Sequence, residues 1–297
     1  MPPWLPPTLW AAALWSVHYL VLTIFIKKRL AGFAPGALLP AHTFLLWTVT
    51  QIPAGMLLLH GPAPDQLPLL LLMGALHACT FYPFLSAFAY ADPIQLAGLA
   101  QLAAVSAMGW SALLLHRFPT LPQGAAMAVL ILGTLLITDK PFSPSDKALQ
   151  RMLLYAVSCG AYFTLGNAFQ GKLAAQEVYA WSRLGVLAIL PGFFLLRPAR
   201  EAAASLRRVR LLPLLIVLAL QAVVVVATLL SYEAIVRSPH VAVMGATLGS
   251  VGQLLTIAGV LLLAQLIPGY GAGRTAHLPR KAGAALLICA GLWLAAL

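Results

Sequence analysis

The chain has 297 residues, of which 61% are hydrophobic and only 8% are charged, and its mean hydropathy is +0.92. Soluble domains carry about 25% charged residues, so this composition excludes an ordinary soluble enzyme or binding domain and indicates an integral membrane protein. The net charge of +11 would suit a nucleic-acid partner, but basic residues that lie mostly in short loops between apolar runs are typical of membrane topology instead.

Apolar runs long enough to cross a bilayer, about 20 residues as a helix, recur along nearly the whole sequence. In the first half, the predicted spans are 7–26, 37–59, 67–90, 94–115 and 121–137. A polar linker at 138–151 follows, and the second half has predicted spans at 152–169, 178–196, 211–235, 241–267 and 282–297. Each span is predicted to be helical, because a lipid-exposed strand or loop would leave backbone groups without hydrogen bonds.

Local similarities relate the two halves of the sequence. Pro93 and Pro239 each open the fourth span of their half, and "LLLHRFP" (113–119) and "LLLAQLIP" (261–268) end those spans. The fifth spans then begin with "LPQGAAMAVLILG" (121–133) and "LPRKAGAALLICAG" (278–291). Because five crossings are an odd number, the second copy must lie upside down relative to the first. The sequence therefore predicts an all-α integral membrane protein with ten transmembrane helices, built as two inverted five-helix repeats at 1–137 and 152–297.

Three longer motifs accompany this layout: "ALWSVHYLVL" (13–22), "WSRLGVL" (181–187) and "LSYEAIVRSPHVAVMGATLGSVGQLLTIAGVLLLAQ" (230–265). In these motifs and in its five-plus-five layout, the whole chain resembles the EamA-type members of the drug/metabolite transporter (DMT) superfamily. It departs from the family where Ser16 replaces a glycine, and where His116-Arg117 and Gln265 replace the acid that closes the fourth helix of each repeat. The resemblance implies a carrier of small organic metabolites, often an exporter. It also implies a central cavity walled by the first, third and fourth helices of each repeat.

Polar side chains within the predicted spans concentrate in those same helices. Burying such groups is costly unless they face one another, water or substrate, so together they predict a cavity. Taken singly, each is explained equally well by a hydrogen bond between helices. The predicted substrate-binding residues are His18, Tyr19, His77, Tyr82, Gln101, Tyr162, Asn167, Arg183, Gln221, Tyr232, Thr247 and Gln253.

Charge inside the spans narrows the substrate class. Of the 7 acidic residues only Glu233 lies within a span, so a carrier of lipophilic cations, which needs a membrane-embedded carboxylate, is disfavoured. Arg183, with His18, His42 and His77, instead indicates a site that can meet a carboxylate or phosphate, and snorkelling of Arg183 to the interface is the alternative. Glu233 is a candidate for proton coupling, although an ion pair with Arg237 at i+4 is the simpler role.

These features predict a secondary transporter that moves a small amino-acid-like, zwitterionic or anionic metabolite across the inner (plasma) membrane by alternating access, with export as the expected direction. An uptake carrier for a vitamin or nucleotide-like metabolite is an alternative, and a lipid scramblase or structural membrane subunit is an alternative of another class. The sequence lacks HExxH, GxSxG and paired intramembrane aspartates, so no catalytic residue and no enzyme activity are expected. No cofactor, metal or nucleic-acid partner is predicted. The expected partners are the substrate, the lipid bilayer and protons, with the chain a monomer or homodimer.

The orientation follows from the basic residues. All but four of the 18 lysines and arginines fall at the loops that follow odd-numbered spans, the exceptions being Arg117, Lys172, Arg183 and Arg237. By the positive-inside rule, those loops are cytoplasmic and both termini are external. The family resemblance implies cytoplasmic termini instead. External termini are the prediction, because the positive-inside rule acts directly on short loops such as these.

Overall fold

The computed structural model describes residues 1–28, 39–60, 64–88, 90–91, 96, 98–137, 146–206, 211–266 and 278–296. All regular structure within these residues is helical, with eleven α-helices and no strand. The helices are α1 (Leu5–Lys28), α2 (Leu39–Leu57), α3 (Leu67–Ala87), α4 (Leu102–Leu115), α5 (Leu121–Ile137), α6 (Lys147–Asn167), α7 (Ala175–Phe193), α8 (Arg197–Ser205), α9 (Leu211–Arg237), α10 (Val241–Leu266) and α11 (Leu278–Ala296).

Each predicted span overlaps one of the longer helices, and α5 has the predicted bounds. α4 begins only at Leu102, later than the predicted 94–115 span. Pro93 and residues 138–145 of the linker lie outside the described residues, as do the ends of several predicted spans. The prediction of an all-helical chain is confirmed for the part of the chain that the structure describes.

The linker predicted at 138–151 is shorter than expected, because residues from Lys147 onward belong to α6. Asp146 has an extended backbone, and its carboxylate accepts a hydrogen bond from the N–H of Ala148 at 2.7 Å. This side-chain cap satisfies one of the free N–H groups at the helix start. Charged residues therefore extend α6 beyond its apolar span rather than ending it.

A second difference is the short helix α8, which lies where a loop is predicted after the seventh span. α8 is bent by 98° from α7. Nη1 of Arg200 donates to the carbonyl oxygens of Phe194 at 3.2 Å and Leu195 at 2.9 Å, which covers the open end of α7. Ala199 and Ala202 are buried, so α8 has one small apolar face that packs on α2 and one charged face.

Three of the described helices are long and apolar enough to cross a membrane, namely Leu67–Ala87, Leu214–Arg237 and Val241–Leu263. Their mean hydropathies are 1.6, 2.7 and 1.8. The bent pair α7 and α8 would supply a fourth crossing if the two helices act as one span. A helical fold with several such helices fits a membrane protein.

The helices of the two halves of the sequence pack mainly against each other. α1 packs on α9 and α10 of the second half, whereas α6 packs on α3 and α4 of the first half. α3 also packs on α7, and α2 packs on α9 and α7. α4 contacts α10, and α5 contacts α11. The interior is therefore formed between the halves rather than within either one.

Glycines allow the closest of these contacts, at the crossing of α3 and α7. A Cβ on Gly74 would lie 1.7 Å from the carbonyl oxygen of Ser182, and a Cβ on Gly185 would lie 1.9 Å from that of Leu71. Small residues let membrane helices approach backbone to backbone in this way. Because His77 lies one turn after Gly74, the crossing brings His77 beside the α7 residues Ser182 and Arg183.

Candidate functional site

A central cavity lies between six helices, α1, α3, α4, α6, α9 and α10. The space there that is not filled by atoms is about 880 Å³, a volume that includes open solvent. These helices overlap the first, third, fourth, sixth, eighth and ninth predicted spans. Its walls are mainly aromatic and aliphatic, with a few hydroxyl, amide and imidazole groups. The lining residues include Trp15, Tyr19, His77, Thr80, Phe81, Phe84, Ala100, Ala103, Tyr155, Tyr162, Phe163, Thr228, Ser231, Leu248 and Gln253, together with Gly245, Gly249 and Gly252.

The wall contributed by α1 is a pair of stacked aromatic rings. Trp15 and Tyr19, one turn apart, have ring centroids 5.8 Å apart and an interplanar angle of 26°. Nε1 of Trp15 donates to Oγ of Ser231 on α9 at 3.3 Å, which holds α1 and α9 together at the cavity. Aromatic walls with a few fixed polar groups are typical of sites for small organic ligands.

A buried polar cluster centred on Arg183 lies directly behind this cavity. The arginine is 0% exposed, so it does not snorkel to the interface. Its guanidinium donates to Nδ1 of His77 at 3.0 Å, to Oγ of Ser182 at 3.1 Å, to Oε1 of Gln51 at 3.3 Å and to the hydroxyl of Tyr232. The cluster thus joins α2, α3, α7 and α9.

Aromatic rings complete the environment of Arg183. The guanidinium carbon lies 4.6 Å from the ring centroid of Tyr179 and 5.4 Å from that of Tyr232. Such contacts stabilise a desolvated cation. No Asp or Glu in the described part of the chain lies within ion-pair distance of Arg183. Among the described residues, the partners of this positive charge are therefore all neutral groups.

His77 connects the Arg183 cluster with the cavity. Its ring stacks on that of Tyr162, with centroids 4.4 Å apart and an interplanar angle of 16°, and both residues line the cavity. Four of the predicted substrate-binding residues, Tyr19, His77, Tyr162 and Gln253, are on the cavity wall. Two more, Arg183 and Tyr232, lie in the cluster behind it.

The predicted pair Gln101 and Thr247 lies between helices rather than on the described cavity wall. Nε2 of Gln101 donates to the carbonyl oxygen of Ala246 at 3.2 Å and to Oγ of Ser250 at 2.8 Å. Oγ1 of Thr247 donates to the carbonyl oxygen of Val243 within its own helix at 2.9 Å. Gln101 therefore holds the start of α4 against α10, whereas the hydroxyl of Thr247 bonds within α10.

Three other predicted residues also lie away from the wall. His18 and Gln221 are fully buried, and none of their side-chain nitrogen or oxygen atoms has a hydrogen-bond partner among the described residues. Tyr82 packs against the rings of Phe44 and Phe193, on the side of α3 that faces α2 and α7. The described lining of the cavity includes none of the three.

Glu233 forms an ion pair with Arg237, one turn later on α9. The two side chains are 30% and 52% exposed. Each group is therefore neutralised by the other at the end of its helix, which is the simpler of the two roles that the sequence leaves open.

Asn167 joins three helix ends at some distance from the central cavity. Its Nδ2 donates to the carbonyl oxygens of Ile235 at 2.9 Å and Ser238 at 2.7 Å, and its Oδ1 accepts from Nη1 of Arg117 at 3.1 Å. Arg117 also donates to Oε1 of Gln170 at 3.0 Å. The family resemblance implies an acid after the fourth helix. This chain has Arg117 there instead, and Arg117 binds the end of α6.

Replacing Asn167 with leucine should destabilise the protein by about 1 to 3 kcal/mol, because two carbonyl groups and a guanidinium N–H lose their partner in a buried place. The measurement is the apparent melting temperature of the purified protein in detergent. Gln170→Leu is the matched control, since it removes only the more exposed contact of Arg117. Equal effects of the two substitutions would contradict the role given to Asn167.

Sequence reasoning missed much of the cavity wall, including Trp15, Phe81, Phe84, Tyr155 and Phe163. The available signal was the helical spacing of aromatic residues in three of the helices, at 15 and 19, at 81 and 84, and at 155 and 162. Aromatic residues are ordinary in apolar helices, so this spacing was not distinctive. Gln51 was missed because only the packing of α2 on α7 brings it to Arg183. Tyr179 and Ser182 lie on α7 itself, one turn before Arg183 and next to it, and were missed although the helical spacing places them there.

Neither a protein-family model nor a curated protein sequence matches this chain. Solved structures do match, and one of them is described only as "Crystal structure of protein". It covers 96% of this chain and 98% of its own, with a TM-score of 0.61 and 20% sequence identity. This chain therefore shares its fold with a solved protein. At that identity the similarity says nothing about substrate or mechanism.

Proposed function

We propose that this protein is a multi-pass secondary transporter of the EamA type, with ten membrane crossings arranged as two inverted repeats. Its substrate is a small organic metabolite that is amino-acid-like, zwitterionic or anionic, and the net direction is export. The single observation that carries the proposal is the cavity, because three helices from each half of the sequence surround it.

The pattern of helix packing supports the inverted repeat. If the crossings of the second half are α6, α7, α9, α10 and α11, then α1 corresponds to α6, and α3 and α4 correspond to α9 and α10. The contacts of α1 with α9 and α10 then correspond to those of α6 with α3 and α4. Likewise, the contact of α3 with α7 corresponds to that of α9 with α2. Equivalent helices also meet in pairs, α2 with α7, α4 with α10 and α5 with α11, as expected around a pseudo-twofold axis.

A cavity on such an axis suits alternating access, in which one repeat moves against the other around a central site. The chemistry of the wall suits an organic solute, since stacked rings can hold an apolar body and His77, Thr80 and Gln253 can bind its polar atoms. An uptake carrier for a vitamin or nucleotide-like metabolite would use the same features in the opposite direction. Protons are the candidate coupling ions, although the ion pair of Glu233 with Arg237 favours a structural role for that acid.

A lipid scramblase or a structural subunit is the competing class of function. Reconstitution in proteoliposomes separates these proposals, with uptake of radiolabelled metabolites measured beside transbilayer movement of fluorescent phospholipids. A transporter moves a solute with saturable kinetics and leaves the lipids in place. Lipid movement without saturable solute flux would instead identify a scramblase, and neither activity would leave a structural role.

The proposed location is the inner membrane, and the basic residues predict which side the loops face. A reporter that is active only in the cytoplasm should be silent at Leu297 and active when inserted near Arg207. Neutralising Lys27, Lys28 and Arg29 together with Arg207 and its basic neighbours should make the orientation mixed. The reverse reporter pattern in the unaltered chain would support the cytoplasmic termini that the family resemblance implies.

A further inference from the structure

The guanidinium of Arg183 is a buried charge whose described neighbours are all neutral. Hydrogen bonds to Gln51, His77, Ser182 and Tyr232 reduce the cost of burying it, but they leave a net positive charge beside the cavity. Coulombic interactions are strong in such a water-poor interior. The cavity therefore favours an anion over a cation.

Arg183 also fixes the tautomer of His77. A guanidinium has N–H donors and no acceptor, so the distance of 3.0 Å between Nη2 of Arg183 and Nδ1 of His77 favours the tautomer in which Nδ1 accepts a hydrogen bond and carries no proton. The hydroxyl of Tyr232, 3.5 Å from the same atom, can then donate to it as well. In a neutral imidazole the proton is then on Nε2, which becomes a donor. Stacking on Tyr162 fixes the plane of the ring, and so the direction in which this N–H points.

Nε2 of His77 is available to a ligand. It makes no hydrogen bond to a described residue and is not among the fully buried atoms, while His77 itself lines the cavity. The Nε2–H group of His77 is a donor of fixed direction, and the imidazole ring separates it from the buried cation of Arg183. Such a donor suits a carboxylate oxygen. None of the described lining residues is acidic, so an ammonium group would find no carboxylate partner there. The surrounding aromatic rings suit a flat apolar body.

We propose that the cavity binds an aromatic monocarboxylate that lacks an ammonium group, an assignment that rests on the transporter proposal. Its carboxylate accepts the hydrogen bond from Nε2–H of His77. Arg183 is a positioning residue, which sets the tautomer of His77 and supplies the positive potential without touching the ligand. This assignment selects one substrate class from the zwitterionic and anionic metabolites named above.

Binding to the purified full-length chain in lipid nanodiscs tests this assignment, with four probes of similar size: 3-phenylpropionate, phenylalanine, 3-phenylpropylamine and 3-phenylpropanol. We expect 3-phenylpropionate to bind most tightly and the amine least tightly. His77→Phe keeps the stacked ring but has no donor, so it should weaken binding of 3-phenylpropionate by about tenfold to a hundredfold. His77→Gln, whose amide can place an N–H near the position of Nε2, should restore most of that loss.

His42→Phe is the matched control, because His42 is also a buried histidine but bonds to Ser205 at 2.9 Å, away from the cavity. It should leave the affinity for 3-phenylpropionate unchanged. Tighter binding of the amine or of phenylalanine than of 3-phenylpropionate would overturn the assignment. So would unchanged affinity in a folded His77→Phe protein.

Nitrogen NMR of histidine-labelled protein tests the role of Arg183 separately from affinity. The signal of His77, assigned by its loss in His77→Phe, should show the neutral form protonated at Nε2. Arg183→Lys keeps a donor and should retain that form, whereas Arg183→Gln should lose the tautomer preference in the fraction that folds. A signal from the form protonated at Nδ1 in the unaltered protein would overturn the argument, whether or not the variants fold.

The two proposals fail in different ways. If a solute other than a carboxylate is transported through the cavity, the anion assignment is wrong and the transporter proposal stands. If no solute is transported but 3-phenylpropionate binds in a manner that depends on His77, the transporter proposal fails and the anion site stands.

Discussion

Replacing Gly185 with valine is expected to abolish the folded protein. A Cβ at this position would lie 1.9 Å from the carbonyl oxygen of Leu71, and backbone atoms of α3 cannot move away as a flexible side chain could. The two helices would have to separate along their crossing, where Gly74 also packs so closely that a Cβ on it would lie 1.7 Å from the carbonyl oxygen of Ser182. The cost should exceed the roughly 1 to 3 kcal/mol typical of an overpacked core.

The measurement is the yield of monodisperse protein from a fluorescent fusion after detergent extraction. Gly192→Val is the matched control, because Gly192 lies on the same helix and a Cβ there meets nothing within 4 Å. It should give nearly the yield of the unaltered chain. If Gly185→Val behaves like Gly192→Val, then α3 and α7 do not cross as closely as the structure shows.

The apolar pattern of the sequence was enough to predict where the long helices are, because each must satisfy its own backbone inside the membrane. It was less informative at the ends of the helices. α6 begins at Lys147, ahead of the predicted span, since Asp146 caps a helix start that charged residues tolerate. α8 was missed because its buried face consists of alanines such as Ala199 and Ala202, which give a weak apolar signal beside four charged or polar neighbours.

The side of each helix that faces the cavity could not be predicted from polarity. His77 and Gln101 are both polar residues in apolar helices, yet only His77 is on the described wall. Gln101 turns toward Ser250, where Gly249 leaves room for its amide: a Cβ on that glycine would lie 2.7 Å from Nε2 of Gln101. Rotation of a helix depends on such contacts with distant residues, and the sequence pattern along one helix does not contain them.

Arg183 shows how tertiary packing decides between two interpretations that the sequence left open. An arginine near the start of an apolar helix often reaches the interface, and nothing in "WSRLGVL" excludes that outcome. Gly55 of α2 packs directly on the aliphatic part of its side chain, where a Cβ would lie 2.2 Å from Cγ. This contact, with acceptors from α2, α3 and α9, keeps the guanidinium inside the protein.

Filling the cavity should block transport without preventing folding, and Ala100 is the residue that allows this test. It lines the cavity just before α4, is partly accessible, and has a side chain small enough that phenylalanine adds a whole ring to the space. Because the wall already consists of aromatic rings, the added ring should pack there without leaving a polar group unpaired. We expect the initial rate of solute uptake by Ala100→Phe proteoliposomes to fall by at least about tenfold.

Val105→Phe is the control for this substitution, since Val105 lies on α4 itself, is 41% exposed and is not among the lining residues. An added ring there points away from the cavity, so uptake should stay near that of the unaltered chain. Both variants should be extracted with the same yield and elute at the same volume, which separates a blocked path from a misfolded protein. Solutes must pass through the six-helix cavity if only Ala100→Phe is inactive. Full uptake by a folded Ala100→Phe protein would place the path elsewhere and remove the observation on which the transporter proposal rests.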